Sequence, residues 1–256
     1  MQRRDDEGGR SAKWSWRNPL ILVALYLLAV SAFFLAFPAI DTTVAGLFHT
    51  EAGFPAIEVA RLIRLRQLGD QLVILVLVTL LAAVLAKLVW PERAMAVRPR
   101  SIAFLLASLA LGPGLVVNGL FKSYSGRPRP VQTDLFGGDW SFEPAWHFGG
   151  ACLSNCSFIS GEASTAMWLL APVLLLPRQL RLIVGLPVAM VGLALSLNRL
   201  AFGAHYLSDV MISWGITLAV ILVLHRLLVV SRLGEHIDAN CTAGLTRAGR
   251  ALRRRA

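Results

Sequence analysis

Residues 71–90 read QLVILVLVTLLAAVLAKLVW, a run in which Lys87 is the single charged side chain. A helix of about 20 mostly apolar residues spans the hydrocarbon core of a bilayer. Working outward from this run, five more stretches have the same character: Pro19–Phe37, Ser101–Leu120, Gly161–Leu176, Leu182–Leu197 and Val210–Val230. Gly161–Leu176 and Leu182–Leu197 are short and contain polar residues. Pro177-Arg178-Gln179 separates them, because proline removes a helical hydrogen bond and the charge resists burial. The expected fold is all-α, a polytopic membrane protein with six transmembrane helices.

Composition agrees. Of 256 residues, 56% are hydrophobic and 16% charged, and mean hydropathy is +0.63. Soluble domains carry about 25% charged residues, so the deficit points to lipid as solvent. No Gly/Ser-rich or Pro-rich linker and no repeat divides the chain, so residues 1–256 read as a single integral membrane domain. The net charge of +10 does not point to nucleic acid. The basic residues lie between apolar spans and at both ends, notably Arg253-Arg254-Arg255, the usual setting of lysine and arginine beside anionic lipid.

The same residues set the orientation. With the N-terminus inside, one side receives Arg3, Arg4, Arg10, Lys13 and Arg17, then Lys87, Arg93, Arg98, Arg100, Arg178 and Arg181, and finally the arginines of the C-terminal tail. The other side keeps Arg61, Arg64, Arg66, Lys122, Arg127, Arg129 and Arg199. The asymmetry places tails 1–18 and 231–256 in the cytoplasm. The first span is longer than the 7–15-residue core of a cleaved signal and reads as an uncleaved anchor.

On the outer side, residues 41–68 mix Phe48, Phe54, Ile57 and Leu62 with acids and arginines. They read either as an amphipathic stretch on the membrane surface or as an ordinary loop. Cys152 and Cys156 are also outside. An oxidising compartment would allow a short disulfide between them, and the spacing equally suits two free thiols. No second Cys/His pair follows at zinc-ligand distance, so no metal site is expected.

Polar residues collect at the outer boundary. Lys122 and Arg129 follow the third span, Ser160 and Glu162 open the fourth, and Arg199, His205 and Asp209 join the fifth to the sixth. Ionisable groups at such depth are costly and mark function. Three cations at one edge suit a phosphate dianion, with arginine offering bidentate geometry. Ser160-Gly161 before a helix adds a hydroxyl and free amides. Taken singly, each cation reads as interfacial snorkelling. His205 and Asp209, four residues apart, read either as a helix-end pair or as an imidazole oriented by a carboxylate, with its other nitrogen free to attack.

Lys122-Ser-Tyr-Ser-Gly-Arg-Pro-Arg129-Pro130 and Asn198-Arg199, followed by His205 and Asp209, resemble the first and third motifs of the PAP2 phosphatase superfamily. Asn198 stands where that family usually has Ser. Ile159-Ser160-Gly161-Glu162 half matches the second motif, Pro-Ser-Gly-His. The resemblance covers most of the chain and implies a metal-independent, cofactor-free lipid phosphatase with His205 as nucleophile, forming a phosphohistidine, and Asp209 orienting it. Lys122, Arg129, Arg199, Ser160 and the Gly161 amide would hold the phosphoryl oxygens. Glu162 replaces the usual acid and would need a proton to serve as one, with His147 a second candidate. The stretch from Cys156 to Ser164 and the early Phe-Pro-Ala-Ile-Asp sequence resemble a bacterial branch that includes lipid A phosphatases.

That branch implies an inner-membrane enzyme acting on a phosphorylated lipid at the periplasmic face. Undecaprenyl pyrophosphate, phosphatidylglycerophosphate and phosphatidic acid remain alternative substrates. A phosphotransferase using the same intermediate and a catalytically silent lipid-binding homologue remain alternative functions. The charges sit at one edge without a repeat, which argues against a transporter. Oligomeric state is not legible.

Overall fold

The computed structural model describes residues 18–254, so the basic N-terminal residues and Arg255 of the orientation argument lie outside the described residues. The described chain is helical, with two isolated bridges and no sheet strand. Five helices are long and apolar enough to cross a membrane: α1 (Pro19–Ala36), α3 (Ala60–Val89), α4 (Pro99–Tyr124), α6 (Arg178–Ala201) and α7 (Leu207–Val230). A short helix α2 (Ala39–Gly46) follows α1. The expected fourth span is α5 (Gly161–Trp168), extended by a 3-10 turn at Pro172–Leu175. At helical rise Gly161–Leu175 covers only about 21 Å, less than a bilayer core of about 30 Å.

Two boundaries differ from the sequence reading. Helix α3 begins at Ala60, not Gln71, so Arg61, Arg64 and Arg66 ride on the same continuous helix as the apolar run. The rest of residues 41–68 forms most of α2 and a 3-10 turn at Pro55–Glu58. At the other end, the C-terminal tail folds as helix α8 (Arg232–Arg253). It docks on α4 through Arg100–Asp238 at 3.2 Å and on the turn after α3 through Arg250–Glu92 at 2.8 Å.

Helix α7 is the central element, packed on α1, α4 and α5. Small and polar side chains hold these helices, as expected where lipid removes the hydrophobic drive for association. At Gly215 a Cβ would fall 2.4 Å from Leu27 of α1, so only glycine lets the two helices meet there. Ser164 and Thr217 share a hydrogen bond of 2.6 Å between α5 and α7. Trp168 Nε1 donates to Ser108 Oγ on α4 at 2.9 Å.

Helix α4 widens to π geometry over Ala110–Phe121, around Pro113. The Pro113 carbonyl accepts from Asn118 Nδ2 at 2.7 Å, a side-chain bond along the widened turns. The widened turns carry Asn118 and Lys122 to the end of the bundle where the polar residues meet.

Candidate active site

A polar cavity of about 230 Å³ opens at that end, lined among others by Arg66, Lys122, Arg129, Glu162, Arg199 and His205. Four stretches far apart in sequence supply it: the outer part of α3, the end of α4 with the strap that follows, the N-terminus of α5, and the end of α6 with the turn into α7. The structure therefore brings together Lys122, Arg129, Gly161, Glu162, Arg199 and His205. It does not bring Ser160 to the cavity wall. Ser160 is buried as the N-cap of α5, its Oγ accepting from the Ala163 amide at 3.3 Å. His147 pairs with Glu143 within its own exposed loop and does not line the cavity either.

His205 is buried, and its Nδ1 lies 2.8 Å from the Ser157 carbonyl oxygen. A carbonyl can only accept, so Nδ1 carries the proton and Nε2 keeps its lone pair. Asp209 Oδ2 is 3.7 Å from Nδ1, beyond hydrogen-bond range. The spacing argument thus found the right pair and the wrong bond: a backbone carbonyl orients the imidazole, and Asp209 stands behind it. Burial pushes the His205 pKa down to about 4 against the pull of Asp209, so the ring is neutral at physiological pH.

Asp209 is tied instead into a buried knot. Arg127 Nη1 donates to Asp209 Oδ1 at 2.6 Å, and Arg127 Nη2 to Asp41 Oδ2 at 2.8 Å. Arg127 Nε reaches the Glu143 carbonyl at 2.7 Å. Ser157 Oγ donates to Asp209 Oδ2 at 2.5 Å, and Ser208 Oγ to Asp41 Oδ2 at 2.5 Å. The guanidinium also lies over the Tyr206 ring, 4.3 Å from its centroid. Burial pushes Arg127 down, and Asp209 and Asp41 outweigh it for a net rise. For Asp41 burial wins, pushing its carboxyl up against the pull of Arg127.

Sequence reasoning missed Asp41 and Arg127. Arg127 lies inside the Lys122–Pro130 motif, and Asp41 ends the Phe-Pro-Ala-Ile-Asp stretch; a signal was present for both, but not their contact. Arg66 and Asn155 were missed as well. Arg66 Nε donates to Glu162 Oε1 at 2.7 Å, and the other oxygen of Glu162 pairs with Arg199 Nε. Arg199 Nη1 is buried without a partner among the described residues.

The loop from Cys152 to Cys156 completes the wall. The two sulfurs are bonded, with Cα atoms 5.7 Å apart. Asn155 inside that loop accepts from Lys122 Nζ at 3.3 Å and from Arg129 Nη2 at 3.0 Å, both on Oδ1. Gly161 leaves room between them: a Cβ there would lie 2.6 Å from Asn118 Oδ1 and 3.3 Å from Lys122 Nζ. Chemically the cavity brings a neutral imidazole together with Arg66, Lys122, Arg129 and Arg199, the complement of a phosphoryl group.

The comparisons with known proteins agree with this chemistry. Residues 101–232, more than half of the chain, match the model of the PAP2 superfamily. A lipid A 4'-phosphatase of Rhizobium leguminosarum is 37% identical over 223 residues, covering 81% of this chain and 94% of that one. A second, from Rhizobium etli, is 45% identical over 139 residues, covering 54% of this chain and 53% of the relative. The crystal structure of a transmembrane PAP2-type phosphatidylglycerolphosphate phosphatase from Bacillus subtilis superposes with a TM-score of 0.50 at 16% identity, covering 81% of this chain and 94% of that chain. The chain therefore belongs to the PAP2 superfamily, as a bacterial membrane lipid phosphatase that hydrolyses phosphoric esters.

Proposed function

We propose that this protein removes a phosphate from lipid A through a phosphohistidine on His205. The observation that carries the reading is His205, its Nδ1 proton held by the Ser157 carbonyl and its ring lining one cavity with Lys122, Arg129 and Arg199. Nε2 attacks phosphorus, the P–O bond to the lipid breaks, and the three cations with the Gly161 amide neutralise charge on the phosphoryl oxygens. Water then attacks the phosphohistidine, and inorganic phosphate leaves with His205 restored. The relatives' names support lipid A as the substrate.

Glu162 is the residue that handles the proton of the leaving oxygen. At rest its two oxygens pair with Arg66 and Arg199. A phosphomonoester monoanion, whose last proton leaves near pH 6, brings a proton with it. Phosphate bound at Arg199 competes with that ion pair and frees the carboxyl to take up the substrate's proton. Glu162 then passes the proton to the departing lipid oxygen and recovers one from the attacking water. Asp209, with Arg127 and Asp41, acts as a positioning group by fixing the Ser157–His205 turn. The Lys/Arg asymmetry and the Cys152–Cys156 bond favour a periplasmic active site on an inner-membrane protein with both termini cytoplasmic.

The test is phosphate release by the purified full-length protein from lipid A, undecaprenyl pyrophosphate, phosphatidylglycerophosphate and phosphatidic acid in detergent. Release from lipid A that disappears in His205→Ala is the expected result. Release confined to another lipid would reassign the substrate, and release surviving in His205→Ala would remove the nucleophile.

A further inference from the structure

A second cleft, of about 1000 Å³, lies toward the opposite end of the bundle from His205. It exists because α5 stops short. After Trp168 the chain makes a 3-10 turn at Pro172–Leu175 and leaves through Pro177, so no helix fills the other half of the bilayer at that position. The walls are apolar, with Leu75 and Leu80 from α3, Leu105 from α4 and Leu174 from the turn. Leu75 is about 21 Å along α3 from Val89 at helical rise, past the mid-plane of a core about 30 Å thick. The cleft is therefore as deep as one leaflet.

Its rim is basic. Arg98 and Arg181 both line the cleft, and neither has a carboxylate partner among the described residues. Arg181 donates its Nε to the Leu176 carbonyl, which holds the side chain at the opening. Arg100, also on the rim, is already neutralised by Asp238.

An apolar slot one leaflet deep under two guanidiniums without an ion-pair partner among the described residues has one natural occupant. We propose that this cleft binds an anionic glycerophospholipid, with an acyl chain against Leu75, Leu80, Leu105 and Leu174 and its phosphate between Arg98 and Arg181. The site is separate from the His205 cavity and shares no lining residue with it. Its lipid is a resident that completes the packing α5 leaves open, not a substrate.

The experiment uses the full chain in nanodiscs of equal phosphatidylglycerol and phosphatidylcholine, released intact into a native mass spectrometer. One phosphatidylglycerol is expected to stay bound. Arg98→Ala with Arg181→Ala should lower its retention relative to phosphatidylcholine about 10-fold or more. Thr79→Trp, which puts an indole into the cleft, should expel it. Both variants should release phosphate as the parent does, and Arg199→Ala should keep the lipid. Equal retention of the two lipids, retention in Thr79→Trp, or loss in Arg199→Ala would overturn the proposal. A diazirine-tailed phosphatidylglycerol on the unmodified protein gives a check free of folding effects. Label is expected on the peptides around Thr79 and Leu174, and label confined elsewhere would refute the site.

Discussion

At the residue scale the decisive contact is the bond from His205 Nδ1 to the Ser157 carbonyl. It selects the nitrogen that attacks, while burial keeps the ring unprotonated down to about pH 4. A free histidine would lose its nucleophile on acidification through about pH 6.5, so here the acid limb of kcat/KM should lie near 4. If the substrate monoanion brings the leaving-group proton, the basic limb falls near pH 6. A pH profile of phosphate release should therefore be bell-shaped with an acidic optimum. Glu162→Gln tests the proton assignment directly. Release from lipid A should fall by about 10²–10⁴-fold, as for loss of a general acid, while p-nitrophenyl phosphate, whose leaving group needs no proton, should be largely spared. Lys122 and Arg199 were legible because each sits at the end of an apolar run where a charge is conspicuous, and Arg129 and His205 because they follow within a few residues on the same side. Asp41, Arg66 and Arg127 stayed hidden because their roles depend on partners from other elements. The i,i+4 spacing does bring Asp209 to 3.7 Å from the imidazole, and the Ser157 carbonyl at 2.8 Å is the nearer partner of Nδ1.

At the scale of elements, the loop 152–156 has a task that its spacing did not reveal. By closing on itself it presents Asn155 to both Lys122 and Arg129. Reduction should free that loop and weaken phosphate binding more than turnover. An increase in KM of about 5-fold with little change in kcat is expected on adding reductant, the size of one lost hydrogen bond of about 1 kcal/mol. The helices themselves were legible to within a turn or two wherever apolarity and helicity end together, as at the end of α3 near Trp90. They were misjudged where the two part. Helix α3 continues outward through Arg61, Arg64 and Arg66, and α8 is too polar to announce itself by hydropathy.

For the whole molecule, the knot of Asp41, Arg127 and Asp209 joins α2, the strap after α4 and the start of α7. All three side chains are almost fully buried. Arg127→Ala leaves two carboxylates facing each other without a counter-charge, and should cost about 3–5 kcal/mol, read as a lowered Tm in detergent. Asp41→Asn should cost less, because Arg127 keeps Asp209. The sequence alone supported the bundle, its lipid solvent and one reactive end, because those follow from local apolarity and charge. It could not show that the end is braced by a charge cluster gathered from across the chain.

That cluster also orders the birth of the protein. Asp41 precedes Arg127 by 86 residues, and Asp209 follows it by 82. At about 5–20 residues per second, each gap takes roughly 4–17 s of synthesis. Through the first interval Asp41 waits without its arginine. Through the second, Arg127 waits with one carboxylate of its two. A nascent chain is thus incomplete until the final span emerges, and a ribosome stalled before Asp209 leaves Arg127 half neutralised.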